Sequence, residues 1–141
     1  MATDNLMSML RRVIRIGNVS SLNPDNMSCR VTFPDMDDAV SRELPILNTG
    51  SGAGKMYWLP SVGEQVLCLM IPSQGGRGSN DGVVLGSFFN SVDKPVRTGE
   101  GIRRIDFGDG SYVEHDRNTG NLTIKATGTV SIIGATIRLN E

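Results

Sequence analysis

Residues 121–141 read NLTIKATGTVSIIGATIRLNE, an alternation of apolar and polar side chains that outruns one ordinary strand. Leu122, Ile124, Ala126, Gly128, Val130 and Ile132 share one parity. At Ile132-Ile133-Gly134 the parity slips, and Ala135, Ile137 and Leu139 continue the pattern on odd positions. A single flat strand would carry these two sets on opposite faces. Three short strands over 122–126, 129–133 and 135–139, with corners near Gly128 and Gly134, remove the conflict and give the rhythm of a β-helix or prism. Burying one Ile or Leu returns about 1.5–3 kcal/mol, against about 1–2 kcal/mol of conformational entropy per ordered residue. So slim a winding is favourable only when both sides of each rung meet a neighbour. Identical copies around an axis supply those neighbours and leave no strand edge free, and a closed prism favours three. The pattern therefore predicts a homotrimer with Leu122, Ile124, Val130, Ile132, Ile137 and Leu139 at its interface.

Upstream, residues 5–10 (NLMSML) have the spacing of a short amphipathic helical turn. Five β-patterned runs follow: RVIRIGNVSSL, MSCRVTF, RELPILN, EQVLCLMIP and GVVLGSFFN. In the second, Cys29, Val31 and Phe33 alternate with Ser28, Arg30 and Thr32, as in a strand with one wet face. EQVLCLMIP is nearly all apolar and predicts a strand buried on both faces. The stretches PDMDDAVS, TGSGAGKMYWLPSVG and SQGGRGSND predict loops. Seventeen glycines punctuate the chain instead of forming one linker, which suits many short strands and tight turns. Five short strands with long loops predict an N-terminal barrel of the oligonucleotide/oligosaccharide-binding (OB) type, with a small sandwich as the alternative. The linker SVDKPVRTGEG shifts composition near residue 100. The all-β chain thus divides into an arm (1–12), a five-stranded barrel (13–97), and a linker with a short intertwined β-prism (98–141). Within the last part, Gly108-Asp109-Gly110 and Asn118-Thr119-Gly120 are turn signals between β-formers.

Several chemistries are disfavoured by residue type and spacing. With a net charge of −1 and a pI of about 5.8, the chain has no overall basic field for nucleic acid or an anionic membrane. The start has no basic segment ahead of an apolar one, so no secretory signal is expected. Cys29 and Cys68 sit in apolar runs without metal-ligand spacing and read as buried reduced thiols. GSGAGK (50–55) lacks both the leading glycine and the hydroxyl of a phosphate loop: Thr49 and Met56 stand there, and Trp58-Leu59-Pro60 precludes a following helix. His115, the single histidine, alternates with Glu114 and Asp116 and reads as part of a solvated strand face; a metal on a three-fold axis is the special alternative. Asp35, Asp37 and Asp38 lack the spacing, glycine and closing glutamate of a calcium loop. No nucleophile motif is present, so neither enzyme activity nor a cofactor is expected. An OB barrel does invite a single-strand nucleic-acid module, with Tyr57, Trp58, Phe88 and Phe89 as stacking candidates.

The runs YWLPSVGEQVLCLMIP (57–72) and DGVVLGSFFN (81–90) resemble the OB domain of phage baseplate assembly protein V, shared by the VgrG spikes of type VI secretion. The resembling features are a Trp-x-Pro turn at Trp58 and Pro60, a Gly-Glu-Gln-Val-Leu stretch from Gly63 and Glu64, and a Gly-x-Val-Leu-Gly strand ending at Gly86. FGDGSYVEHDRNTGNLTIKATG resembles the passage that follows in that family, and the likeness extends over about residues 11–139. It implies a homotrimeric central spike in the virion tail baseplate, assembled in the host cytoplasm. The OB domains would sit beneath a tail hub protein, and the β-prism would be driven through the bacterial envelope. Many members end in a longer β-helix whose apex binds iron through His-x-His, a pair missing here, so a separate tip protein is expected at the C-terminal end. No lysozyme-like insert is present, so no cell-wall hydrolysis is implied.

Overall fold

The computed structural model describes residues 2–71 and 81–141, and the expected loop SQGGRGSND lies outside them apart from Asp81. The described residues are mostly β, with one helix, and form two compact units, residues 1–94 and 95–141.

The N-terminal turn expected over 5–10 is a longer helix, α1 (Ala2–Val13). Leu6, Met9, Leu10 and Val13 recur at i, i+3, i+4 and i+7 and form one apolar stripe, while Arg11 and Arg12 in the last turn complement the helix dipole. The chain then runs through β1 (Ile14–Asn23), β2 (Ser28–Phe33), a 3₁₀ turn at Pro34–Met36, β3 (Ala39–Val40), β4 (Leu44–Pro45), β5 (Thr49–Ser51), β6 (Lys55–Met56), β7 (Gln65–Ile71) and β8 (Asp81–Ser87). Antiparallel pairing sets the order β3-β2-β1-β7-β8, with β4 also on β2. The segment after β4 reaches the far edge, where Ile46 bridges Val84 in parallel and the Leu47 N–H donates to the Val84 carbonyl at 2.8 Å. Both edges of the curled sheet therefore meet one segment, although no barrel is closed by a continuous ladder. Two stretches read as loops contain β-structure instead: β3 lies in the acidic stretch, and β5 pairs with β6 within the glycine-rich one.

The core of this unit is Val19, Cys29, Val31, Phe33, Leu44, Val66, Cys68, Met70 and Val84. The inward parity of β2 matches the sequence pattern. That of β7 does not match the expected two-faced burial: Val66, Cys68 and Met70 face inward, whereas Leu69 is 44% exposed. Leu69 and Leu67 pair with Ile14 and Ile16 of β1, both also exposed, so an apolar row crosses the outer face. Gly17 lies where β1 passes closest to β2. A Cβ there would stand 2.5 Å from both the Thr32 carbonyl oxygen and Val31 Cγ1, so the position excludes any larger residue.

β1 turns Arg15 inward beside Gly17 and Val19, leaving it only 4% exposed. Its guanidinium carbon sits 5.2 Å from the Phe33 ring centroid, while Nε and Nη2 have no hydrogen-bond partner. Burial draws its pKa below the ordinary arginine value. Two buried unmet donors cost about 1–3 kcal/mol each, which outweighs the roughly 2 kcal/mol that a desolvated cation–π contact returns. Arg15→Met is therefore expected to raise stability by about 1 kcal/mol, read as a higher urea midpoint at unchanged slope.

The second unit is a meander of β9 (Ile102–Asp106), β10 (Tyr112–Asp116) and β11 (Asn121–Lys125), in the order β11-β10-β9. Its turns fall at the two glycine signals, where Gly108, Gly110 and Gly120 all take positive φ. One face of the ladder aligns Ile105, Val113 and Ile124; the other aligns Arg104, Glu114 and Thr123. Glu114, 5% exposed, is paired with Arg104 at 2.8 Å and also with Arg97, and Arg97 reaches Asp116 at 3.1 Å. Arg104 also lies 3.9 Å from the Tyr112 ring centroid. Hydrogen bonding to Glu114 raises the pKa of Arg104 above its ordinary value. Among the described residues none from 126 onward enters a backbone ladder, so of the three short strands expected in the tail only the first, as β11, forms within one chain.

Candidate functional site

The Pro60–Glu64 turn shows what the Trp-x-Pro…Gly-Glu signature does physically. Gly63, at φ 90°, donates its N–H to the Val19 carbonyl at 2.8 Å, and the Val19 N–H donates to the Glu64 carbonyl at 2.9 Å. The turn is thus clipped onto β1, and its left-handed residue favours glycine. Glu64 caps it by accepting from the Ser61 N–H at 3.2 Å, and the Ser87 hydroxyl donates to its other oxygen, tying the turn to β8. Pro60 is buried, whereas Trp58 is 61% exposed. Gly86 pairs with Leu67 beside an irregularity in the β7–β8 register.

This turn forms one wall of a groove of about 650 Å³. The rest of its lining includes Leu47 after β4, Met56 of β6, Tyr57 after it, and Phe88 and Phe89 after β8. Glu64 and Asp93 give it acidic character, and among the described residues no lysine or arginine lines it. Asn90 holds the Phe88–Asp93 corner: its Oδ1 accepts from the Val92 and Asp93 N–H groups at 2.8 and 2.7 Å, and its Nδ2 donates to Gln65 Oε1 at 2.9 Å. The four aromatics suggested by sequence as stacking candidates do converge. They converge around carboxylates, however, where a phosphate backbone needs cations.

The second candidate surface is the tail. Leu122, Ile124, Val130, Ile132, Ile137 and Leu139 are 65%, 62%, 53%, 68%, 53% and 81% exposed, and Ile133 is 95% exposed. Leu122 and Ile124 lie in β11, and the other four follow it outside any ladder among the described residues.

The remaining sequence candidates stand apart from these surfaces. His115 pairs in register with Arg103 and Leu122, on the face opposite the buried Glu114. Glu114 and Asp116 are both engaged by Arg97. GSGAGK forms the β5–β6 ribbon, and the Lys55 ammonium donates to the Gly52 carbonyl. Asp37 and Asp38 both take left-handed backbone, and no group of three metal-ligating side chains occurs among the described residues. Cys29 and Cys68 are free and buried, as expected from the sequence. Burial, then the neighbouring Cys29, pushes the Cys68 thiol up to about 12. Thiolate is the reactive species, so at about pH 8 alkylation of Cys68 is expected to proceed at the rate of unfolding. Equal labelling rates in native and urea-unfolded protein, followed by mass spectrometry, would contradict that burial.

Sequence reasoning missed the inward Arg15 and the role of Arg97 in the meander, because neither belongs to an apolar pattern. No protein-family profile matches the chain. It is similar to the spike protein of Escherichia phage P2, with 30% identity over 123 residues. The match takes in 87% of this chain and 55% of that protein, so the chain spans about half the length of the relative.

Proposed function

We propose that this chain is a structural component of a phage tail: a homotrimeric spike, or spike base, of a contractile-tail baseplate. The observation that carries the reading is the stretch from residue 126 to 141, whose alternating apolar side chains are exposed and whose backbone enters no ladder among the described residues. An unpaired apolar strand is a liability unless another chain covers it. Three copies would bury Val130, Ile132, Ile137 and Leu139 along a common axis. The likeness to a protein named for a spike points the same way.

In this reading the N-terminal sheet is an OB-type barrel that attaches to a tail hub, and residues 98–141 form the intertwined β-prism. The action is mechanical. Interchain strands yield together, so a slim prism resists load through slow unfolding. A separate tip protein at the C-terminal end and transient contact with the bacterial envelope complete the proposal, which includes no catalysis and no cofactor. Mass in solution tests it directly. Three chains per particle at micromolar concentration are expected, and a monomer sinks the reading.

The aromatic groove favours one alternative, a single-strand nucleic-acid module. That reading requires oligonucleotide binding that weakens steeply with salt, as phosphate contacts do. The carboxylates Glu64 and Asp93 in the same groove count against it.

A further inference from the structure

Unit 1 leaves two complementary surfaces without a visible occupant. One is the groove, apolar and acidic, with Trp58 61% and Phe89 68% exposed. The other is the stripe of α1, where Leu6, Met9 and Leu10 are 57%, 51% and 45% exposed. A 12-residue helix is marginal in water on its own and needs its apolar face covered. The helix adjoins its own β1 and β7, yet its stripe stays open, and none of its residues lines the groove of its own chain. Its i, i+3, i+4 and i+7 anchors are the pattern of a helix laid into an apolar groove. Charge agrees: the last turn of α1 carries Arg11 and Arg12, and the groove carries Glu64 and Asp93.

We infer that α1 of one copy docks in the aromatic groove of the next copy, with its basic end toward Glu64 and Asp93. The contact joins unlike surfaces, so it repeats head to tail and closes into a ring when the rotation permits. Three such contacts clasp a trimer at its N-terminal units and supplement the C-terminal strands, on which assembly still depends. The inference rests on the trimeric reading above and adds a second set of interchain bonds to it.

Trp58, the single tryptophan, reports on the docking. In the full chain its emission is expected at short wavelength, shifting to the red when residues 2–10 are deleted or when Leu10→Glu is introduced. Unchanged emission in both variants overturns the docking. A second measurement separates neighbours from self. A chain carrying Met9→Cys and Phe89→Cys, treated with a short bismaleimide, is expected to give covalent dimers and trimers on a denaturing gel, whereas either single variant stops at dimers. Crosslinks confined within one chain overturn the head-to-tail contact. If the protein sediments as three chains but shows neither signal, this inference fails and the spike reading survives. If it sediments as a monomer with no interchain crosslink, both fail.

Discussion

Deleting residues 126–141 is expected to turn particles of three 15.2 kDa chains into folded monomers, read by light scattering at micromolar concentration. Both ladders of the meander lie within residues 102–125, so among the described residues the deletion removes no ladder pairing, only the hydrogen bonds of Thr127 to Ser111 and Asp109. It does remove Val130, Ile132, Ile137 and Leu139, each more than half exposed in the single chain. Burying one such side chain yields about 1.5–3 kcal/mol, and three copies multiply the yield. The circular dichroism of the truncated chain should stay β-type, with its melting made independent of concentration. Persisting trimers would place the interface elsewhere and overturn the account of the tail. Ile132→Asp is the finer test. Three carboxylates meeting near an axis leave buried charges without partners, at several kcal/mol each, so trimers should dissociate or melt much earlier. An unchanged melting temperature would refute the axial placement.

The facing of β2 was legible in sequence because period-two patterning survives wherever one face is buried, and Cys29, Val31 and Phe33 do point inward. The turns at Gly108–Gly110 and Gly120 were equally legible, since positive φ leaves a residue-type mark. β1 was not. Ile14 and Ile16 flank Arg15, and apolar parity alone would send the isoleucines inward; the structure sends Arg15, Gly17 and Val19 inward instead. The reason is steric as well as hydrophobic: only glycine fits against Thr32 and Val31 at position 17, which fixes the parity of the strand. β7 misled for a related reason. A continuous apolar run signals two buried faces, but Leu67 and Leu69 lie on an outer row shared with Ile14 and Ile16. An apolar row on an outer face looks, in one sequence, the same as core. The groove was half legible: its aromatics were visible, but their convergence joins two separate connections, after β6 and after β8, that no local pattern links.

Phe33→Ala is expected to destabilise the N-terminal unit by about 3–5 kcal/mol, a large share of a typical domain's stability of about 5–15 kcal/mol. Phe33 is 1% exposed, among the largest of the buried side chains, in a core of only nine residues. The site cannot collapse easily, because its neighbour across the sheet is Gly17, which has no side chain to fill the space. Arg15 stands over the ring, and a guanidinium turned into the vacated volume would still find no acceptor among the core side chains. Phe33→Leu keeps most of the volume and should lose less than half as much. The double variant Phe33→Ala, Arg15→Met sharpens the test. Methionine can bend into the cavity and has no donors to satisfy, so the pair should be more stable than the sum of the single changes by about 0.5–3 kcal/mol. Strict additivity in urea melts would mean that the ring and the guanidinium do not share one packed site.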